Sequence, residues 1–178
     1  MTNEAKILDE IPGLYRIIAL NPLRRTSNVR FENIPIDAFK NISAIDRVIH
    51  ERRAISPGSV GDVARPWYMH PHQDDNLIVL NGERRVEIYT KKHGRIESFE
   101  VTPDRILRNN EPVIDGPAML VWPRGVFHRI ESLDEGSASI NFAVHYEGFD
   151  MRTNFNIYDL DPETGRFKVI REGFKDQP

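Results

Sequence analysis

The residues best suited to chemistry are three histidines and the acids beside them. His70 and His72 stand two apart, and on a strand residues two apart leave the same face. Their Cα atoms would then lie about 6.8 Å apart, near enough for two imidazoles to share a cation at bonds of about 2.1 Å. His128 lies far along the chain, just after Pro123-Arg124-Gly125, and Asp74 or Asp75 follows His72 closely enough to add a carboxylate. Imidazole and carboxylate donors without sulfur suit one divalent metal ion, Fe(II), Mn(II), Ni(II), Co(II) or Zn(II), and disfavour Cu(I). Three or four protein ligands leave positions open for water, O2 or a chelating substrate.

The neighbours of these residues supply candidate pocket walls. Alternation places Tyr68 with His70 and His72, Leu77 and Val79 with Asp75, and Val126 and Ile130 with His128. The Tyr68 phenol can donate a hydrogen bond to a substrate, and His145, on a face with Asn141 and Ala143, is a second candidate for moving a proton. Arg124, in the turn before His128, can clamp a substrate carboxylate. Trp67 and Trp122 are expected outside the barrel wall, the charged run 83–87 on a solvated face, and His50 and His93 receive no role. No Gly-x-Ser-x-Gly elbow, phosphate-binding glycine loop or His-Glu-x-x-His pattern is present, so serine-hydrolase and nucleotide-driven chemistry lack support.

The elements that must position these residues read as strands. Residues 45–55 alternate apolar and charged side chains up to the breaker Ser56-Pro57-Gly58-Ser59. Residues 67–72 and 77–80 follow, and Asn81-Gly82 predicts a hairpin into 84–91. After the turn Lys92-His93-Gly94 come 95–101, a looser stretch to 116, and strands over 118–122, 126–132 and 137–146. Residues 154–171 predict a closing hairpin around Pro162-Glu163-Thr164-Gly165, while residues 11–20 fit a short helix or a strand equally. Many short strands with almost no helical stretch predict an all-β sandwich or barrel. The continuous apolar runs 77–80 and 118–122 predict strands covered on both faces, by the barrel interior and by a partner surface, hence a homodimer.

Bulk properties agree with one soluble domain. The chain has 178 residues, 39% hydrophobic and 29% charged, with a net charge of -3, which gives no reason to expect a nucleic-acid partner. It contains no cysteine, which fits a reducing compartment. The first residues lack a signal-peptide layout and no apolar run approaches a membrane span, so a cytoplasmic protein is expected. Arginine far outnumbers lysine, a faint pointer to an acidic small molecule, although solvated barrel surface explains it more simply.

Two of these segments together resemble the cupin superfamily. His70-Pro71-His72-Gln73-Asp74-Asp75, followed by Leu77-Ile78-Val79-Leu80 and Gly82, is similar to its first motif: glycine, His-x-His, a short spacer, glutamate, six residues and glycine. Counting back from Gly82 places Asp75 at the glutamate. Pro123-Arg124-Gly125-Val126-Phe127-His128 matches the second motif, Pro-x-Gly-x-x-His. The departures are Ala64 at the leading glycine, a shortened loop and Asp75 in place of glutamate, Gly116 one residue early, and Ser132 at the usual asparagine. The resemblance implies a jelly-roll barrel (a double-stranded β-helix) over 45–146, with the metal inside on His70, His72, His128 and Asp75. Residues 1–44 are then an N-terminal extension on the barrel or on a partner subunit, and 147–178 a C-terminal β-hairpin extension. The activity expected is that of a metal-dependent enzyme on a small organic acid, phenol or sugar, an Fe(II)-type dioxygenase first. The alternatives are a metal-dependent isomerase or lyase, or a non-catalytic barrel that binds a small ligand.

Overall fold

The computed structural model describes residues 4–39 and 41–178. The chain opens with β1 (Ile7–Ile11), β2 (Tyr15–Ala19) and a small hairpin of β3 (Asn21–Thr26) and β4 (Val29–Asn33). β5 (Ala44–His50), β6 (Ile55–Ser56) and β7 (Trp67–Met69) lead into the long β8 (Gln73–Tyr89). After β9 (Glu97–Thr102), β10 (Arg105–Arg108), β11 (Glu111–Asp115) and β12 (Ala118–Trp122) comes the second long strand, β13 (Phe127–His145). One turn of helix, α1 (Met151–Asn154), precedes the hairpin of β14 (Ile157–Asp161) and β15 (Arg166–Arg171). All the strand pairings are antiparallel and the fold is an all-β jelly roll. No helix among the described residues is long and apolar enough to cross a membrane.

β8 and β13 pair along most of their length and form the spine of the barrel sheet. The expected hairpin at Asn81-Gly82 does not form; β8 passes straight through it. Ser139 faces Val79 while Ala138 faces Asn81, so Leu80 is bulged out of the ladder and is 55% exposed. A one-residue bulge exchanges the faces of every later side chain. Odd positions (Asp75, Leu77, Val79) point inward before it and even ones (Arg84, Val86, Ile88) after it. A second irregularity, between Ser132 and Ser137, does the same to β13, so His128 and Ser132 share the interior with Ser137 and Ser139. These offsets let a long strand turn a corner without ending.

The core lies inside the barrel, where Leu77, Val86, Ile88, Phe99, Ile106 and Leu120 pack together. Residues 11–20, which periodicity left open between helix and strand, hold the end of β1 and all of β2, with β2 pairing with β12 and β1 with β2. On the outer side, Ile18, Ile78, Met119 and Val121 are covered by Leu20, Ile34, Ala38 and Phe39. The second apolar face that suggested a dimer is thus covered by this chain's own N-terminal segment. Trp67 packs outside the wall with Tyr89, Phe127, Tyr158 and Leu160, beneath the C-terminal hairpin.

Candidate active site

β7, β8, β12 and β13 meet around one end of the barrel. His128 of β13 lies opposite Tyr68 of β7, and Asp75 of β8 opposite Trp122 of β12. The donor atoms of His70, Asp75 and His128 lie within 4.8 Å of one another, and all three residues are buried. The rings of His70 and His128 are 4.7 Å apart, and Trp122, Tyr68 and Phe155 surround them. Trp122, expected outside the wall, therefore lines the site with its indole against His128.

His72 is not part of this group. β7 ends at Met69 and β8 begins at Gln73, with Pro71 and His72 in a turn between them. Because proline removes a donor and fixes its own backbone, the segment turns and the same-face rule for strands does not apply to 70–72. The His72 ring lies instead against Gly148, where an added Cβ would meet its Cε1 at 2.9 Å. His145 stacks on Phe149 at 3.6 Å between ring centres, away from the cavity lining. Arg124 is exposed, lies 4.1 Å over the Tyr146 ring, and is also absent from that lining.

Hydrogen bonds set the state of each ring. A backbone carbonyl can only accept, so His70 Nδ1 donates to Asn154 O at 2.6 Å. The other nitrogen, Nε2, faces Asp75 Oδ2 at 3.4 Å. His128 Nδ1 is turned toward Val126 O at 3.3 Å, which leaves its Nε2 toward the cavity. Gln73 Nε2 and Asn141 Nδ2 both donate to Asp75 Oδ1, at 2.8 and 2.7 Å. Asp75 Oδ2 is buried without a hydrogen-bond partner. Two imidazole lone pairs and a bare carboxylate oxygen therefore converge where nothing neutralises them, a costly arrangement unless a proton, a substrate or a cation completes it.

Gln73, Asn141 and Asn154 were not singled out from sequence. Asn154 ends α1, a turn started by Asp150, whose side chain accepts from Arg152 N. Asp150-Met-Arg-Thr is a visible start signal, but nothing local ties the end of that turn to His70. The cavity in front of the cluster measures about 390 Å³ and is also lined by His50, Ser56, Leu77, Arg84 and Ile130. Grooves of similar size lie outside, one of them among Arg65, Arg129, Glu87 and Glu131. Those charges are already paired, Arg65 with Glu131 and Arg129 with Glu87, so the interior cavity is the better site.

Burial pushes the His128 imidazole down to about 4, and the nearby His70 adds to the shift. His50 is likewise held at about 4, by burial and then by the charge of Arg84. Both rings are neutral in the folded protein at pH 7. Between pH 6.5 and about 4 the unfolded chain binds these two protons and the folded chain does not. Stability is therefore expected to fall as pH drops through that window and to be fully present above 6.5. Two such sites give a slope of up to about 2.7 kcal/mol per pH unit. Urea unfolding at a series of pH values checks this, and His128→Gln is expected to remove about half of the slope. An unchanged slope would mean that His128 is already protonated in the fold.

No family model and no curated protein matches the sequence. The fold has clear structural neighbours. The sugar 3,4-ketoisomerase QdtA of Thermoanaerobacterium thermosaccharolyticum, solved in complex with TDP, superposes with a TM-score of 0.56 at 15% identity, over 79% of this chain and 85% of that one. NovW, a 4-keto-6-deoxy sugar epimerase from the novobiocin biosynthetic gene cluster of Streptomyces spheroides, gives 0.58 at 10% identity over 83% and 70%. The dTDP-4-dehydrorhamnose 3,5-epimerase of Sulfolobus tokodaii gives 0.55 at 15% over 82% and 77%. The chain thus shares the jelly-roll fold of these neighbours. These three are a ketoisomerase and two epimerases, and none is described as an oxygenase.

Proposed function

We propose that this protein is an isomerase or epimerase of a small carbonyl compound, a keto sugar in the first instance, working by proton transfer next to the carbonyl. The observation that carries this is the buried cluster of His70 Nε2, Asp75 Oδ2 and His128 Nε2 at the head of a cavity. His70, its Nδ1 proton held by Asn154, takes the proton from the carbon beside the carbonyl onto Nε2. The imidazolium so formed is stabilised by Asp75 Oδ2, 3.4 Å away and otherwise without a partner. Tyr68, kept protonated because burial raises its phenol, donates to the carbonyl oxygen as it becomes an enolate oxygen. Neutral His128 accepts from a substrate hydroxyl. Carbonyl migration follows when His70 returns the proton to the former carbonyl carbon while the hydroxyl proton passes to His128 and the Tyr68 proton to the enolate oxygen. Inversion follows when an acid on the opposite face, with Tyr68 the candidate, protonates the original carbon and His70 releases its proton to solvent. The wash-in of deuterium from D2O into a panel of free and nucleotide-linked keto sugars tests the reading by proton NMR. One deuterium beside the carbonyl, in the absence of O2, is expected; substrate-dependent O2 uptake without exchange would sink it.

The same unpartnered Asp75 oxygen favours a second reading. Two imidazole nitrogens and one carboxylate oxygen also fit a divalent cation, held by His70, Asp75 and His128. Such an ion would polarise the substrate carbonyl as a Lewis acid. Metal analysis of the purified protein separates the readings. If the cation belongs here, His128→Ala loses it and His72→Ala keeps it at about one per chain; if proton transfer alone operates, exchange persists after chelation.

A further inference from the structure

We infer that Arg84 is the anion-binding residue of this cavity, and that the substrate carries a carboxylate or phosphoryl group seated on its guanidinium. The inference deepens the isomerase reading and rests on it for the word substrate, though not for the anion.

Arg84 is 1% exposed and ranks among the largest fully buried side chains, yet it lines the cavity that holds His70, Asp75 and His128. Its Nε donates to Ser137 Oγ at 2.9 Å and one Nη to the Val48 carbonyl at 3.1 Å. Both acceptors are neutral. No carboxylate among the described residues forms an ion pair with it, in contrast to Arg65, Arg108, Arg129 and Arg171, all of which do. Burial alone pulls its guanidinium down to about 10, with no acidic neighbour opposing the shift. It remains charged at neutral pH.

A buried guanidinium without a counter-charge is costly, and a planar fork of donors is well matched to carboxylate and phosphate oxygens. Its surroundings are built to hold it still: Ser137 Oγ bonds Ser132 Oγ at 2.6 Å, and Ser132 Oγ bonds His50 Nδ1 at 3.0 Å. Met151, which is 52% exposed, and partly exposed Asp46 line the same cavity, so it opens to solvent while Arg84 itself stays buried. A ligand with its anionic group on Arg84 shares its cavity with the His70–His128 pair. The uncharged Tyr68, Trp122 and Ile130 line the same cavity.

Nitrogen-15 NMR of the intact chain tests this, with the Arg84 Nε–H signal as reporter and D-glucuronate, inorganic phosphate and D-glucose as probes. At least one anion is expected to move that signal saturably while glucose leaves it in place. Tighter binding of glucuronate, by tenfold or more, assigns a carboxylate; the reverse assigns a phosphoryl group. Arg84→Gln is expected to weaken the anion at least tenfold, and Arg84→Lys to recover part of the loss. Anions that leave the signal unmoved, or that bind Arg84→Gln as tightly as the native protein, overturn the assignment. If Arg84→Gln does not fold, the native titration and the lysine variant decide between these outcomes. Deuterium wash-in is scored separately, so a failed isomerase reading and a failed anion site give different results.

Discussion

His70→Gln is expected to slow deuterium wash-in by a factor of about 10²–10⁴ while leaving the folded protein intact. Glutamine fills much of the imidazole volume, and its amide can still donate to Asn154 O, so α1 stays docked. What disappears is a group that accepts a proton at Nε2, where Asp75 stabilises the resulting charge. Asp75→Asn is expected to act in the same direction but less strongly. It keeps the shape and removes the charge that stabilises the imidazolium, a positioning and electrostatic loss rather than loss of the base. A His70→Gln protein that exchanges at native rate would remove His70 from the chemistry and leave His128 as the remaining nitrogen base.

The largest stability effect is expected at Gly82. It has a φ of 74°, and a Cβ added there would lie 2.2 Å from the carbonyl oxygen of Gly136 and 3.0 Å from Ser137 Cα. Gly136, at φ 72°, in turn lies so close to β5 that its own Cβ would come within 2.5 Å of the His50 carbonyl oxygen. Three backbones thus pass through one crossing with room for no side chain. Left-handed backbone costs an alanine about 1–2 kcal/mol before any clash is counted, and backbone atoms cannot swing aside as a side chain can. Gly82→Ala is expected to cost at least about 3 kcal/mol, lowering Tm by roughly 6–12 °C in a chain of this size. Gly58→Ala, with open space around the added carbon, is the control and is expected to stay within about 0.5 kcal/mol. Equal melting of the two variants would mean that β8 and β13 do not cross this closely.

Gly82 also shows where sequence reasoning goes astray. Asn-Gly between two β-rich runs carries the signature of a hairpin, and the local preference for positive φ is real. Here the glycine is used for a bulge in a continuous strand, because β13 is available to pair on both sides of it. The same bulge hid Arg84. Counting by twos from Asp75 sends residue 84 outward with the charged run 83–87, whereas the skipped Leu80 turns it inward beside Val86 and Ile88. A signal was present, since Arg84 shares parity with those two apolar residues, but charge outweighed periodicity.

The residue pattern sufficed for an all-β sandwich or barrel, because alternation and turn residues are local properties, and the family resemblance of the two histidine motifs implied the jelly roll. It also sufficed to nominate His70, Asp75 and His128. Only the tertiary structure decided that Pro71 breaks the strand and removes His72, and that Asn154, from a helical turn far along the chain, sets the tautomer of His70. It likewise drew Trp122 inward and left Arg124 and His145 outside the cavity. Which backbone runs close enough to accept a proton, or to forbid a Cβ, depends on how distant strands cross, and no local window contains that distance.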